Sequence, residues 1–279
     1  MTDDAGETDR SGAYVLGHSG GEIERLKAQA RLIDPITRRI FQEAGIAPGM
    51  RVLDVGSGAG DVAFLAADMV GPDGEVVGVD RAAGAIEAAR ARAGERSLRN
   101  VEFLAGDPAE MTFERPFDAV IGRYVLQFQR EPAAMLRRLA GQARPGALVV
   151  FHEIDWGGPT SFPPAPTYDR CHRWGLETLR AHGTETRMGS KLHSTFVEAG
   201  LSTPSMRLEA MIGGGENGAD MFRVMSGLIA TLLPEIERLG VATGAEIDVE
   251  TLFDRMERES AEGSNVFFGH LQIGAWSRT

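Results

Sequence analysis

The sequence predicts an α/β fold built on a parallel sheet with helices on both faces. Short apolar runs end in glycine or an acid, helical segments separate them, and successive runs lie roughly 20–30 residues apart, as strand–helix–strand crossovers do. A chain of 279 residues is long enough for one such domain with insertions.

The acidic, polar start reads as a disordered tail over residues 1–12, followed by a helical cap over residues 13–44. In that cap Ile23, Leu26, Ala30 and Ile33 recur at helix spacing, and Pro35 interrupts the run before a second segment that ends at Ala44. The segment "APGMRVLDVG" gives a turn and a buried strand, residues 61–69 a helix, "EVVGVD" the second strand and residues 82–96 the next helix. "NVEFLAGD" and "FDAVIGR" are the third and fourth strands. "EPAAMLRRLAGQARPG" is a helix with proline in its first turn, and "ALVVFHEID" is the fifth strand. Beyond Asp155 the spacing changes. A Pro/Gly-rich connection leads into helices over residues 168–182 and 189–200, then a sixth strand in "PSMRLEAMI". A glycine joint precedes helical segments over residues 219–239 and 247–262, and the chain closes on a strand in "NVFFGHLQIGAWS". The main domain thus covers residues 45–279, with insertions at about 156–186 and 213–262. Both are expected to leave the sheet at the carboxyl edge, where open α/β sheets bind ligands, and to form a helical lid there.

The net charge of −11 argues against nucleic-acid binding, which needs Lys and Arg to neutralise phosphates. The single cysteine, Cys171, forms no intramolecular disulfide and fits a reducing cytoplasm; it reads as a buried or idle thiol. No run approaches the ~20 apolar residues of a membrane span, and the start has no signal-peptide pattern. These features point to a cytoplasmic protein with a small-molecule partner, without nucleic acid or membrane, as a monomer or homodimer.

The stretch "VLDVGSGAGD" carries the chemistry. A dinucleotide fold places G-x-G-x-x-G at a helix N-terminus to hold a pyrophosphate. Here the glycines are Gly56, Gly58 and Gly60, the third one residue early, and Asp61 stands where glycine or alanine is wanted. That carboxylate would repel a pyrophosphate and is expected to satisfy the helix N-terminus itself. NAD is therefore disfavoured. A positively charged nucleoside with an amino-acid tail, S-adenosylmethionine (SAM), suits the acids better. Asp80 can accept from both ribose hydroxyls and Asp107 from the adenine amino group, although a turn-forming acid before Pro108 is the plainer role for Asp107. Gly56 and Gly58 permit close backbone approach, and Asp54 favours an ammonium group.

With these residues in hand, the chain resembles the class I SAM-dependent methyltransferases, in particular the small-molecule subgroup similar to those of ubiquinone and menaquinone biosynthesis. "VLDVGSGAGD", "VVGVD", "FLAGDPAEMTF", "FDAVIGRYVLQF" and "QARPGALVVFHEID" carry the resemblance over roughly residues 45–155. It implies a Rossmann-like, seven-stranded, mostly parallel sheet whose last strand is antiparallel. It also implies transfer of a methyl group from SAM, with S-adenosylhomocysteine (SAH) as product, to an apolar or aromatic acceptor at oxygen, carbon or nitrogen. Asp54, Gly56, Ser57, Gly58, Asp80, Arg81, Gly106, Asp107, Pro108 and Arg123 are the implied cofactor residues, with a surface ion pair as the other role for Arg123. A non-catalytic SAM-binding regulator or partner of the same fold is the alternative.

Candidates for catalysis are His152 and Glu153, on opposite faces if both stay in the strand. Glu153 is the one expected to face the pocket, and His152 is either a base or a satisfied structural histidine. Tyr14, His18 and Trp156 are candidate acceptor contacts. Trp174, Met221, Phe222, Met225 and Leu228 could line an apolar pocket or simply pack their helices. No His/Asp/Glu spacing is specific for a metal, and none is expected.

Overall fold

The computed structural model describes residues 20–158 and 160–279. Seven strands form the main sheet: β1 (Arg51–Val55), β2 (Glu75–Asp80), β3 (Val101–Ala105), β4 (Phe117–Arg123), β5 (Ala143–Asp155), β7 (Ser205–Glu209) and β10 (Leu271–Arg278). Their order is β3-β2-β1-β4-β5-β10-β7. β10 pairs antiparallel with both β5 and β7, while β1 to β5 are mutually parallel. The predicted seven-stranded sheet with an antiparallel last strand is what the chain forms.

Helices α1 (Gly20–Ala44), α2 (Asp61–Val70) and α3 (Ala83–Glu95) cover one face. Ile36, Ile40, Phe41, Phe64 and Ile86 bury there against Val52, Ile121 and Val150. On the other face α4 (Pro132–Ala140) and α6 (Met188–Glu198) bring Leu136, Leu192 and Phe196 onto Leu53, Val120 and Phe151. The inner strands β1, β2, β4 and β5 are buried on both sides and accordingly read as apolar runs, whereas the edge strands β3 and β7 keep exposed residues. Pro35 does not interrupt the first helix as expected: α1 runs through it. Proline removes one helical hydrogen bond, and burial of Ile33, Ile36, Ile40 and Phe41 on the sheet outweighs that loss.

The insertions contain α5 (Pro166–Ala181), α7 (Ala219–Arg238), α8 (Gly244–Ile247) and α9 (Val249–Glu262). A second sheet of short strands, β6 (Ser161–Phe162), β8 (Ile212–Gly213) and β9 (Val266–Phe268), ties their entry and exit points together in the order β6-β9-β8. The single terminal strand expected from the sequence is two, β9 and β10, and β6 is an addition to the expected elements. Trp174, Met221, Phe222 and Met225 are buried together with Tyr168, Ile229, Leu252 and Phe267 as the core of the insertion. Helices that stand off the main sheet need an apolar core of their own, and these residues supply it. Among the described residues no helix is long and apolar enough to cross a membrane.

Candidate functional site

The glycine turn after β1 lies at the carboxyl edge of the sheet. Gly56 has φ 65° and Gly58 φ 51°, conformations that L-residues with a side chain adopt at a cost. A Cβ on Gly56 would stand 2.8 Å from Val125 Cγ2, whereas a Cβ on Gly58 would meet nothing within 4 Å. Thus Gly56 is required by packing, and Gly58 opens a backbone cradle. Asp80, at the end of β2, ties the turn down: its Oδ2 accepts from the Gly58 amide at 2.9 Å and its Oδ1 from Ala82 at 2.8 Å. The Ser57 amide donates to Val79 O at 3.0 Å, while its buried hydroxyl has no partner among the described residues.

Asp54 is the most unusual group in the site. It is 1% exposed, and among the described residues no side chain hydrogen-bonds its carboxylate, whose one favourable backbone contact is the Ala63 amide. Burial pushes its pKa well above the usual carboxylate range, Arg123 opposes that shift and Asp80 adds to it. A buried acid beside an open backbone cradle fits a cationic group carried by a ligand.

At the end of β3, the Gly106 amide donates to Asp80 O at 2.9 Å, and Pro108 is buried. Asp107 accepts from the Ala109 amide through Oδ1 and pairs with Arg81 through Oδ2. Both roles weighed for Asp107 therefore remain structurally available, since it forms the turn and also presents a carboxylate at the edge. Asp61 departs from expectation. It makes no capping hydrogen bond; Gly60 occupies the N-cap, and Asp61 pairs with Arg92 Nη2 at 2.6 Å. The Arg92 guanidinium offsets the charge of that carboxylate, which softens the electrostatic case against a pyrophosphate.

A family model described as a methyltransferase domain matches residues 46–200. The chain belongs to the class I SAM-dependent methyltransferase family. It is 39% identical over 138 residues to the aklanonic acid methyltransferase DauC of Streptomyces sp. (strain C5), covering 49% of this chain and 62% of that one. It is 32% identical over 134 residues to the demethylmenaquinone methyltransferase of Lactococcus lactis, covering 48% of this chain and 51% of the relative. The chain thus spans little more than half the length of these relatives. The fold is also that of the YcgJ protein from Bacillus subtilis, at TM-score 0.53 and 19% identity, covering 86% of this chain and 96% of that one. SAM is the cofactor of this methyltransferase family, and the acids and cradle described above fit it.

The remaining candidates lie along and just beyond β4 and β5. His152 is fully buried on the α1 face. Its Nε2 lies 3.0 Å from Gln272 Oε1, which also accepts from the Tyr124 hydroxyl at 2.5 Å. The ring is therefore assigned as the Nε2–H tautomer, with Nδ1 facing the Thr37 hydroxyl at 3.0 Å. Burial, reinforced by the charge of Arg123, pulls its pKa down to about 3. This histidine is neutral, and both ring nitrogens are engaged. Glu153 points to the opposite face, where Oε1 accepts from the amides of Val125 and Leu126 at 2.9 and 2.8 Å. Burial pushes its carboxyl up to about 7 against these bonds. It is wholly buried and clamps the turn after β4 instead of lining open space.

That turn carries Tyr124 at φ 59°, an uncommon conformation for a bulky residue. Trp156 is 4% exposed and packs against His270 with ring centroids 3.8 Å apart and the rings tilted by 41°; His270 Nε2 in turn lies 3.2 Å from His172 Nδ1. Arg123 donates to Asp34 and Thr37 of α1. Tyr14 and His18 lie outside the described residues. Sequence reasoning missed Asp34, Thr37, Tyr124, Gln272 and His270. Only Tyr124, next to Arg123 at a strand end, carried a local signal.

Proposed function

We propose that the chain transfers a methyl group from SAM to an apolar or aromatic small molecule. The observation that carries this reading is Asp54, a buried carboxylate that meets no cation or side-chain donor among the described residues, in the turn that holds the open backbone at Gly58. When bound, the cofactor supplies an electrophilic methyl group on a positively charged sulfur. Asp54 receives the ammonium of its tail, and Arg123 the carboxylate. Asp80 accepts from the ribose hydroxyls with the lone pairs that Gly58 and Ala82 leave free. Asp107 accepts from the adenine amino group, with Arg81 sharing its carboxylate. Gly56, Ser57, Gly106 and Pro108 shape the cradle.

On the acceptor side, Trp156 is the proposed contact at the end of β5, together with Tyr14 and His18 outside the described residues, and the insertion is proposed to exclude water. Neutral, doubly engaged His152 and the buried clamp Glu153 hold the β4 and β5 edge in place, so transfer rests on alignment of the acceptor rather than on a strong base. DauC acts on aklanonic acid by its name, and a related role in biosynthesis of an aromatic metabolite is the natural extension. We place the protein in the cytoplasm as a monomer or homodimer acting on a small molecule, without nucleic acid.

The full engagement of His152 also favours a second reading, a SAM-binding partner protein without turnover. Incubation with methyl-labelled SAM and a panel of phenolic, quinol and 1,3-dicarbonyl acceptors separates the two. Label on any acceptor supports transfer. Tight SAH binding with no labelled product across the panel supports the second reading.

A further inference from the structure

His270 stands one residue before β10, whose first residue, Leu271, is paired with Asp155 at the end of β5. It therefore lies at the carboxyl edge of the main sheet, three strands from the Gly56 turn in the order β1-β4-β5-β10. Strand spacing of about 4.8 Å puts it about 14 Å along that edge, beyond the cradle. A hydrogen-bond thread joins it to the turn after β4. Tyr124 donates to Gln272 Oε1, and Gln272 Nε2 donates to the His270 carbonyl at 3.2 Å. The His270 ring is held from two sides. Trp156, whose amide donates to Thr186 O at 2.9 Å, packs against it, and His172 Nδ1 on α5 lies 3.2 Å from its Nε2.

Two neutral histidines in contact need one donor and one acceptor between them. Burial pulls both pKa values below the ordinary 6.5, that of His270 to about 3, so both rings are neutral. The N–H of His172 is spent on the Trp156 backbone. Its Nδ1 is therefore assigned as the acceptor and His270 Nε2–H as the donor, which leaves His270 Nδ1 as a bare lone pair. Nδ1 meets no partner among the described residues and is not sealed in, since the ring is part-exposed.

We infer that His270 Nδ1 receives the hydroxyl hydrogen of the methyl acceptor and that His172 is a positioning residue that fixes the tautomer of its ring. The acceptor class that follows is a neutral phenol or enol. A carboxylate has no hydrogen to give, and an ammonium has no lone pair with which to attack. As the hydroxyl oxygen forms its bond to the methyl carbon, the sulfur–carbon bond breaks with its pair left on sulfur, and the proton passes to Nδ1. The imidazolium so formed keeps its Nε2–H on His172. A weak base suffices, because an oxygen gaining a third bond is a far stronger acid than an imidazolium. The inference rests on the reading of the chain as a small-molecule methyltransferase and names the hydroxyl site of that reading.

The test is equilibrium binding of two probes to the protein–SAH complex: 1-naphthol, and its methyl ether, which keeps the rings and has no hydrogen to give. Wild type is expected to favour 1-naphthol by about two- to tenfold, the scale of one hydrogen bond. His270→Phe and His172→Leu are each expected to erase that preference while leaving the ether within about twofold. His172→Gln, whose amide oxygen still accepts from Nε2–H, is expected to keep most of it, a rescue that loosened packing would not give. With methyl-labelled SAM, His270→Phe should slow transfer to 1-naphthol and spare 4-nitro-1-naphthol, which is already ionised in neutral solution. A preference that survives in His270→Phe, equal losses of naphthol and ether, equal slowing of the two acceptors, or no transfer to 1-naphthol by wild type would each overturn the inference. So would a complex that holds SAH and binds neither probe, an outcome that leaves the cofactor reading standing. A wild-type protein without affinity for SAH would overturn that reading and the inference with it.

Discussion

The Gly58 amide donates to Asp80 Oδ2 across 2.9 Å, so the glycine turn after β1 and the acid at the end of β2 form one unit. The other oxygen of Asp80 holds the start of the next helical segment through Ala82. Asp80 thus shapes the cradle as well as facing it. Replacing Asp80 by Ala frees both amides and removes the proposed ribose acceptor. SAH affinity should fall by well over tenfold, since hydrogen bonds to a charged group contribute about 1.5–3 kcal/mol each. Asp80→Asn keeps one acceptor oxygen and should lose less. Calorimetric titration of the two variants side by side checks the order.

The two glycines of the turn should separate stability from binding. Gly56→Ala drives a Cβ to 2.8 Å from Val125 Cγ2 at φ 65° and should destabilise the fold by about 2–4 kcal/mol, overpacking and backbone strain together. Gly58→Ala has open space, so only the strain of about 1–2 kcal/mol applies, but the methyl stands in the cradle and should weaken SAH. Urea unfolding gives the stability order. Adding Val125→Ala should recover part of the loss in Gly56→Ala and none in Gly58→Ala.

Neighbours His152 and Glu153 should give the fold opposite pH dependences. The folded pKa of His152 is about 3, below the ordinary 6.5, so between these values the unfolded chain binds the proton and the folded one does not. Its contribution is complete above about pH 6.5 and is lost as pH falls toward 3. Glu153 rises from 4.5 to about 7, so the folded chain holds the extra proton; its contribution is complete below about pH 4.5 and is lost as pH rises through 7. His152→Gln should flatten the acid side of the stability profile and Glu153→Gln the fall in stability as pH rises from 4.5 to 7, both read by urea unfolding between pH 4 and 8.

What could be read from the sequence was whatever is local in it. Asp54, the glycine turn and Asp80 lie on two successive strands and one turn, and the order of those elements follows from their spacing. The groups around His152 were not legible, because Thr37 and Gln272 reach it from 115 and 120 residues away. The small sheet escaped for another reason: β6 and β8 are two residues long, too short for an alternating pattern to emerge. Periodicity also could not tell whether Trp174, Phe222 and Met225 lined a pocket or built a core, since both demand the same apolar helix face. Pro35 marked a helix break by local rules, and tertiary packing overrode it.

Cys171 is buried in the insertion core, and burial pushes its thiol up to about 12. It should resist a thiol reagent such as dithionitrobenzoate in the folded protein and react once when denatured. Rapid reaction under native conditions would show that the insertion opens or that this core is misplaced.

The central claim is that the cradle at Asp54, Gly58 and Asp80 takes SAM and not a dinucleotide. Calorimetric titration of the purified protein with SAM, SAH and NAD tests it most directly, with Asp54→Asn as the paired variant. The account predicts binding of SAM and SAH, weaker binding of both by the variant, and no heat with NAD. Binding of NAD without SAM or SAH would contradict it.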